Sequence, residues 1–194
     1  MGYVGDVRIV GGQLGGRILR APGGASTRPT SEKVREAVFN ILGNLLGSIA
    51  GDRVLDLFAG SGALGIEALS RGAAHATFVD SARPALIAIR GNLRELGLED
   101  RASVVAADAV ASAARHPPEA PWRIVFVDPP YRSDLAVRAV LALPSERLAA
   151  DAVVVIEHDR RNAPPDTLGS LLRTDQRRYG DTLISFFARS GAPA

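Results

Sequence analysis

The stretch Val54 to Gly72, VLDLFAGSGALGIEALSRG, constrains this chain more than any other. A short apolar run, Val54 to Phe58, holds one acid, Asp56. Glycines follow at Gly60, Gly62 and Gly65, and a helical pattern through Leu64, Ile66, Ala68 and Leu69 stops at Gly72. Strand, glycine loop and helix form the opening unit of a doubly wound α/β sheet, in which a ligand sits against backbone N–H groups at a helix start. GSGALG satisfies G-x-G-x-x-G, so a nicotinamide dinucleotide is the first rival, and a glycine turn without a ligand is the plain alternative. Asp56 argues against the dinucleotide. A carboxylate beside the loop repels a pyrophosphate and suits a ligand carrying an ammonium or sulfonium, which favours S-adenosylmethionine.

Alternation continues downstream. Ala76 to Val79 reads as a strand ending in Asp80, with Ser81 as cap of a helix carrying Pro84, Leu86, Ile89, Leu93 and Leu96 up to Gly97. Ala102 to Ala107 ends in Asp108, and Arg123 to Val127 ends in Asp128 before Pro129-Pro130-Tyr131. Ala152 to Ile156 is uniformly apolar, as a buried parallel strand should be, and Glu157 ends it. Leu183 to Phe187, preceded by Tyr179-Gly180-Asp181, reads as a closing hairpin. With 194 residues, one domain can bury its own core.

Asp56, Asp80, Asp108 and Asp128 all fall at or beside the carboxyl end of a strand. They are separated by 24, 28 and 20 residues (80 − 56, 108 − 80 and 128 − 108), each room for a helix and the next strand. In an open parallel sheet those ends share one edge, where ligands bind. Any one of them taken singly is equally well a helix cap. Together they divide into roles: Asp56 near a cationic methionine end, Asp80 for ribose hydroxyls, Asp108 for an adenine amine. A dinucleotide enzyme accounts for Asp80 equally well, but not for Asp-Pro-Pro-Tyr.

An exocyclic amine is a poor nucleophile because its lone pair is delocalised into the ring. Acceptors on both N–H groups, such as the Asp128 carboxylate and the Pro129 carbonyl, localise that pair, and consecutive prolines hold the loop rigid. Tyr131 offers a ring for a splayed-out base to stack on. A plain loop stiffener is the alternative reading of Pro129-Pro130.

DLFAGSGALGIEAL, Asp80, Asp108 and DPPY at 128–131 resemble class I S-adenosylmethionine-dependent methyltransferases acting on a planar exocyclic amine. RIVGGQLGGRIL at 8–19, TRPTSEKVREAVFNIL at 27–42 and YGDTLISFF at 179–187 resemble the RsmD family, which methylates guanine N2 in bacterial small-subunit ribosomal RNA. The resemblance runs from Arg8 to Arg189, and members usually begin at the Arg-Ile-Val position. It implies a Rossmann-like, mostly parallel seven-stranded sheet with helices on both faces, a C-terminal antiparallel hairpin and a short N-terminal β-hairpin arm. It implies S-adenosyl-L-methionine held by Asp56, Phe58, Gly60, Gly62, Asp80 and Asp108, with Asp128, Pro129, Pro130 and Tyr131 as the catalytic segment. DPPY alone is shared with DNA adenine-N6 and cytosine-N4 methyltransferases, which stay open as the substrate alternative. A non-catalytic RNA-binding protein or a nicotinamide enzyme on the same fold stays open as another class.

The N-terminal region carries the charge. From Arg8 to Arg35 there are six cations, Arg8, Arg17, Arg20, Arg28, Lys33 and Arg35, against one acid, Glu32. Two short β-type runs, Arg8 to Val10 and Arg17 to Arg20, suggest a hairpin within a basic arm spanning 1–28, with the methyltransferase domain at 29–194. The arm is either a solvated basic ribbon or a grip on RNA. Thr30 can cap a helix striped by Val34, Ala37, Val38, Ile41, Leu42 and Leu45, which leaves Arg35 and Asn40 off the stripe and open to solvent or substrate. Without cysteine there is no disulfide, no thiolate metal site and no cysteine adduct of the kind that methylates RNA cytosine C5. His75, His116 and His158 lack ligand spacing, so no metal is expected. No apolar run reaches membrane-spanning length, and the expected setting is the cytoplasm, as a monomer acting on ribosomal RNA in a partly or fully assembled 30S subunit.

Overall fold

The structure, a computed structural model, describes residues 6–22, 32–115, 120–130 and 134–189. Strands β1 (Asp6–Arg8) and β2 (Ile18–Arg20) pair antiparallel, and helix α1 (Glu32–Leu46) follows. Strands and helices then alternate: β3 (Arg53–Leu57), α2 (Ala63–Ser70), β4 (His75–Asp80), α3 (Arg83–Leu96), β5 (Ala102–Ala106) and α4 (Ala109–Ala114). The second half runs β6 (Trp122–Val127), α5 (Leu135–Ala142), β7 (Leu148–His158), β8 (Thr167–Leu168), β9 (Leu171–Tyr179) and β10 (Thr182–Arg189).

The main sheet has the order β5-β4-β3-β6-β7-β10-β9-β8. β5, β4, β3, β6 and β7 are parallel, while β10 and β8 run antiparallel to their neighbours. The sheet therefore has eight strands among the described residues, against the seven expected. The additional strand, β8, is two residues long at the sheet edge, too short to show a period in sequence. The order turns outward in opposite directions from β3 and β6. That reversal is a topological switch point, and it opens a crevice at the strands' carboxyl ends.

Both faces are covered, so the central strands are apolar on both sides. Val54, Phe78, Phe126 and Val155 pack against α1, α2 and α3, while Leu55, Val79, Val127 and Ile156 pack against α4 and α5. Gly65 is required by this layering, because a Cβ there would lie 2.3 Å from Cε1 of Phe78. The Ser81 cap is replaced: Ala82 stands at the N-cap of α3, and Asp80 Oδ1 accepts its N–H at 2.8 Å. Thr30 lies outside the described residues.

The N-terminal hairpin is not a separate arm over its described part. Val7, Ile9 and Leu19 belong to the same core cluster as α1 to α3. Glu67, fully buried, accepts the N–H groups of Val10 at 2.7 Å and Gly11 at 2.8 Å, and the Nε–H of Arg71 at 2.8 Å. Ser70 Oγ donates to the Gly11 carbonyl and accepts from the Leu14 N–H. Gly12, at φ +77°, approaches so closely that a Cβ would sit 2.1 Å from the Ser70 carbonyl oxygen. Arg35, expected off the apolar stripe and accessible, is only 1% exposed, and its Nη2 donates to the Arg8 carbonyl. The hairpin lies over that face of α1, which a single helix's periodicity cannot show.

Candidate active site at the carboxyl edge of the sheet

The glycine loop leaves β3 through Phe58, a non-glycine residue at φ +62°. Such a conformation is uncommon for a bulky residue, and where it persists the surroundings hold it in place. Gly60 and Gly62 follow at φ +57° and +80°, a region that costs glycine nothing. The loop's amides are already engaged. Gly60 N–H donates to Asp80 Oδ2 at 2.8 Å, Gly62 N–H to the Ala59 carbonyl at 2.7 Å, and Gly65 N–H to Asp56 Oδ2 at 3.0 Å. The expectation is of a ligand against backbone N–H groups at this helix start; of these three, two are held by acids and one by a backbone carbonyl.

Asp56, only 2% exposed, has its carboxyl pushed up to about 8. Burial is the main cause, the Gly65 N–H opposes it, and the neighbouring charge of Asp80 adds to it. Asp80 lies at the end of β4, partly exposed, with each oxygen accepting one backbone N–H. A carboxylate has about four acceptor positions, which leaves room for two hydroxyls of a diol. Asp108 is exposed and caps α4 through Oδ1, which accepts the Ala111 N–H at 2.9 Å. The cap reading therefore holds for Asp108, and its second oxygen is available to an amine.

Across the switch point, β6 delivers Asp128 and Pro129, both partly exposed, and then the exposed Pro130. Tyr131 lies outside the described residues. Asp128 lines a pocket with Val38 of α1, Leu64 of α2, Phe126, Glu157 and Ile184. Glu157 is the acid to which sequence reasoning gave no role. It is 9% exposed and stands one residue before the end of β7. Its place at the end of an apolar run is the same signal that marks the four aspartates. Its neighbourhood to Asp128 depends on the β6–β7 register.

A family model described as conserved hypothetical protein 95 matches residues 7–188. Ribosomal RNA small subunit methyltransferase D of Escherichia coli strain K12 is 40% identical over 162 residues, covering 83% of this chain and 79% of that protein. The chain belongs to the RsmD family. YlbH of Bacillus subtilis strain 168 is 42% identical over 190 residues, covering 95% of this chain and all of its own length. Among solved structures, yhhF from Escherichia coli superposes with a TM-score of 0.81 at 35% identity, covering 97% of this chain and 100% of that one.

The cations of this RsmD-family chain divide by environment. Arg8, Arg17, Arg20 and Lys33 are exposed, with Arg8 3.8 Å from Glu32 and Arg20 3.0 Å from Glu95. Arg28 lies outside the described residues. Arg35 leaves the set of surface cations, since burial holds its guanidinium below its ordinary pKa while Glu67 and Glu32 oppose that. Arg160, Arg161 and Arg178 are exposed cations that the sequence reading did not single out. Leu183 pairs with both His158 and Arg178, so the three arginines belong to the carboxyl edge beside Glu157. His75 bonds Ser103, and His158 bonds Ser185 and the Asp159 carbonyl. Burial lowers the His158 pKa, and His116 lies outside the described residues. Among the described residues no group of three His, Cys, Asp or Glu could hold a metal ion, and no helix is long and apolar enough to cross a membrane.

Proposed function

We propose that this protein transfers a methyl group from S-adenosylmethionine to the exocyclic N2 amine of a guanine in small-subunit ribosomal RNA. The observation that carries the reading is the strand order, which brings Asp56 of β3 and Asp80 at the end of β4 to the same carboxyl edge as Asp128-Pro129-Pro130 after β6, across the switch point. The cofactor fits what the loop offers. The amides of Gly60, Gly62 and Gly65 are turned inward to Asp80, the Ala59 carbonyl and Asp56, so a pyrophosphate would find these three donors already taken. A ligand with a sulfonium, an ammonium and a ribose diol meets what it needs, with Asp80 for the diol, Asp56 for the cationic end and Phe58, Gly60 and Gly62 shaping the loop. When bound, S-adenosylmethionine supplies an electrophilic methyl carbon.

Asp128 and the Pro129 carbonyl accept the amine's two N–H bonds, which turns the nitrogen lone pair toward the incoming carbon. The nitrogen must afterwards lose a proton, and the Asp128 carboxylate is the adjacent acceptor. Holding the base and the methyl source in line contributes most of the acceleration. Tyr131 is assigned to base stacking on its sequence position. Relatives named ribosomal RNA small subunit methyltransferase D support the RNA substrate. A monomer of this size has little surface for reading a long sequence. A partly or fully assembled 30S subunit that already exposes the base is therefore the favoured partner, with no metal required.

The test uses small subunits from a strain lacking this gene, incubated with labelled cofactor and digested to nucleosides. Label is expected in N2-methylguanosine. Asp128→Ala should bind cofactor normally and lose about 10²-fold or more in turnover. Label in N6-methyladenosine or N4-methylcytidine, or only on DNA, would overturn the substrate.

A further inference from the structure

We propose that Arg160, Arg161 and Arg178 form a phosphate-binding surface that carries the RNA strand flanking the target nucleotide; the inference rests on the RNA substrate of the reading above. Strand register assembles this surface. β10 runs antiparallel to both β7 and β9, so β7 and β9 end at the same edge of the sheet, where Leu183 pairs with His158 on one side and Arg178 on the other. Arg160 and Arg161 lie just beyond His158, the last residue of β7. Adjacent strands are about 4.8 Å apart, which puts the backbone of Arg178 roughly 10 Å from that of His158. The position relative to the site gives the surface its use. In the order β4-β3-β6-β7-β10-β9, Asp128 follows β6, with the cofactor loop on the β3 and β4 side and the arginines on the β7, β10 and β9 side. A base held at Asp128 against the cofactor brings its own sugar-phosphate backbone out over the half that the cofactor leaves open.

All three arginines are exposed. Elsewhere on the surface Arg8, Arg20, Arg94 and Arg138 each face a carboxylate at 3.0 to 3.8 Å, whereas among the described residues none of these three makes a salt bridge. Arg177, beside Arg178, is paired with Asp175 at 2.9 Å and is left out for that reason. The supports of the three are fixed. Asp159 Oδ1 accepts the N–H groups of Arg161 and Asn162, each at 2.8 Å, which shapes the turn after β7. The Arg178 Nε–H donates to the Gly180 carbonyl at 2.8 Å, using one of the guanidinium's five donors. Asp181, in the β9–β10 turn, is the exposed acid that opposes them. A planar guanidinium fork matches the oxygens of a phosphate, and such contacts fix the position of a strand without reading its sequence. That suits a domain that takes a base already exposed by its substrate.

The test measures equilibrium binding of the full chain to small subunits from a strain lacking this gene, from about 50 to about 200 mM salt. The triple variant Arg160→Gln/Arg161→Gln/Arg178→Gln should bind about 10-fold or more weakly at the low-salt end, with an unchanged cofactor Kd. Its log–log salt slope should flatten by about 2 to 2.7, which is about 0.7–0.9 for each of three phosphates. The pair Arg160→Gln/Arg161→Gln leaves the Arg178 bond to Gly180 in place and should flatten the slope by about 1.4 to 1.8, so the proposal is decided even where the triple variant does not fold. Arg90→Gln/Arg94→Gln/Arg138→Gln removes the same charge from exposed positions on α3 and α5 and should leave the slope near that of the wild type. An unaltered slope in the folded pair and triple variants would overturn the surface alone. Equal flattening in the α3 and α5 control would also overturn it, because total charge would then account for the effect. Wild type that does not bind the subunits at all would overturn the RNA reading itself, and this surface with it.

Discussion

Asp56 makes stability depend on pH in a direction opposite to that of most carboxylates. In the fold its carboxyl titrates at about 8, chiefly through burial, whereas in an unfolded chain an aspartate titrates near about 4. Between those values the native state holds a proton that the unfolded chain has released, so stability falls as pH rises, by about 1.4 kcal/mol per unit. From about pH 5 to about pH 8 the loss approaches about 4 kcal/mol, and above that range the slope vanishes. Asp56→Asn keeps an acceptor for the Gly65 N–H and removes the titration. Urea unfolding of both proteins across this range should show the variant gaining on the wild type by that amount. Taking the difference cancels every other group, including His158, whose lowered pKa has the opposite effect of raising stability as pH climbs toward neutrality. A cationic cofactor favours the ionised carboxylate, so its binding near neutral pH should release a proton. Calorimetry in buffers of different ionisation enthalpy would show this in wild type and not in the variant. Parallel stability curves for the two proteins would refute the assignment of a buried, protonated Asp56.

Asp80→Ala removes the diol acceptor and also frees the Gly60 and Ala82 amides, so cofactor affinity should fall by about 1.5–3 kcal/mol in a calorimetric titration. Unchanged affinity would remove Asp80 from the cofactor site. Glu67→Gln withdraws the buried charge that faces Arg71 and the hairpin amides and should lower stability by about 3 kcal/mol in denaturant, detaching residues 6–22 first in hydrogen exchange. A native-like exchange pattern would show that apolar packing alone holds the hairpin. Arg17→Ala should weaken RNA binding and flatten the log–log salt dependence by about 0.7–0.9 for each phosphate no longer neutralised, and an unaltered slope would return Arg17 to a solvated role.

What the sequence determined by itself was local. The Val54–Gly72 unit is legible because apolar run, glycines and helical period follow one another within a single βα unit, each dictated by its own backbone geometry. The placement of Asp80, Asp108 and Asp128 at strand ends followed from the same punctuation. Tertiary structure decided whatever depends on residues far apart in the chain. Arg35 lies off the stripe of α1, yet it is buried because a hairpin some fifteen or more residues away covers it. Glu67 and Ser70 look like ordinary polar positions on α2 until the hairpin's amides reach them. The glycine amides were expected to face a ligand, but the Gly60 and Gly65 amides are claimed by acids 20 and 9 residues distant. Glu157 and Asp128 line one pocket only because β6 and β7 pair in parallel at one particular register. Periodicity reports which face of an element is apolar; which partner that face meets is set by packing and strand register, and those exist only in the folded chain.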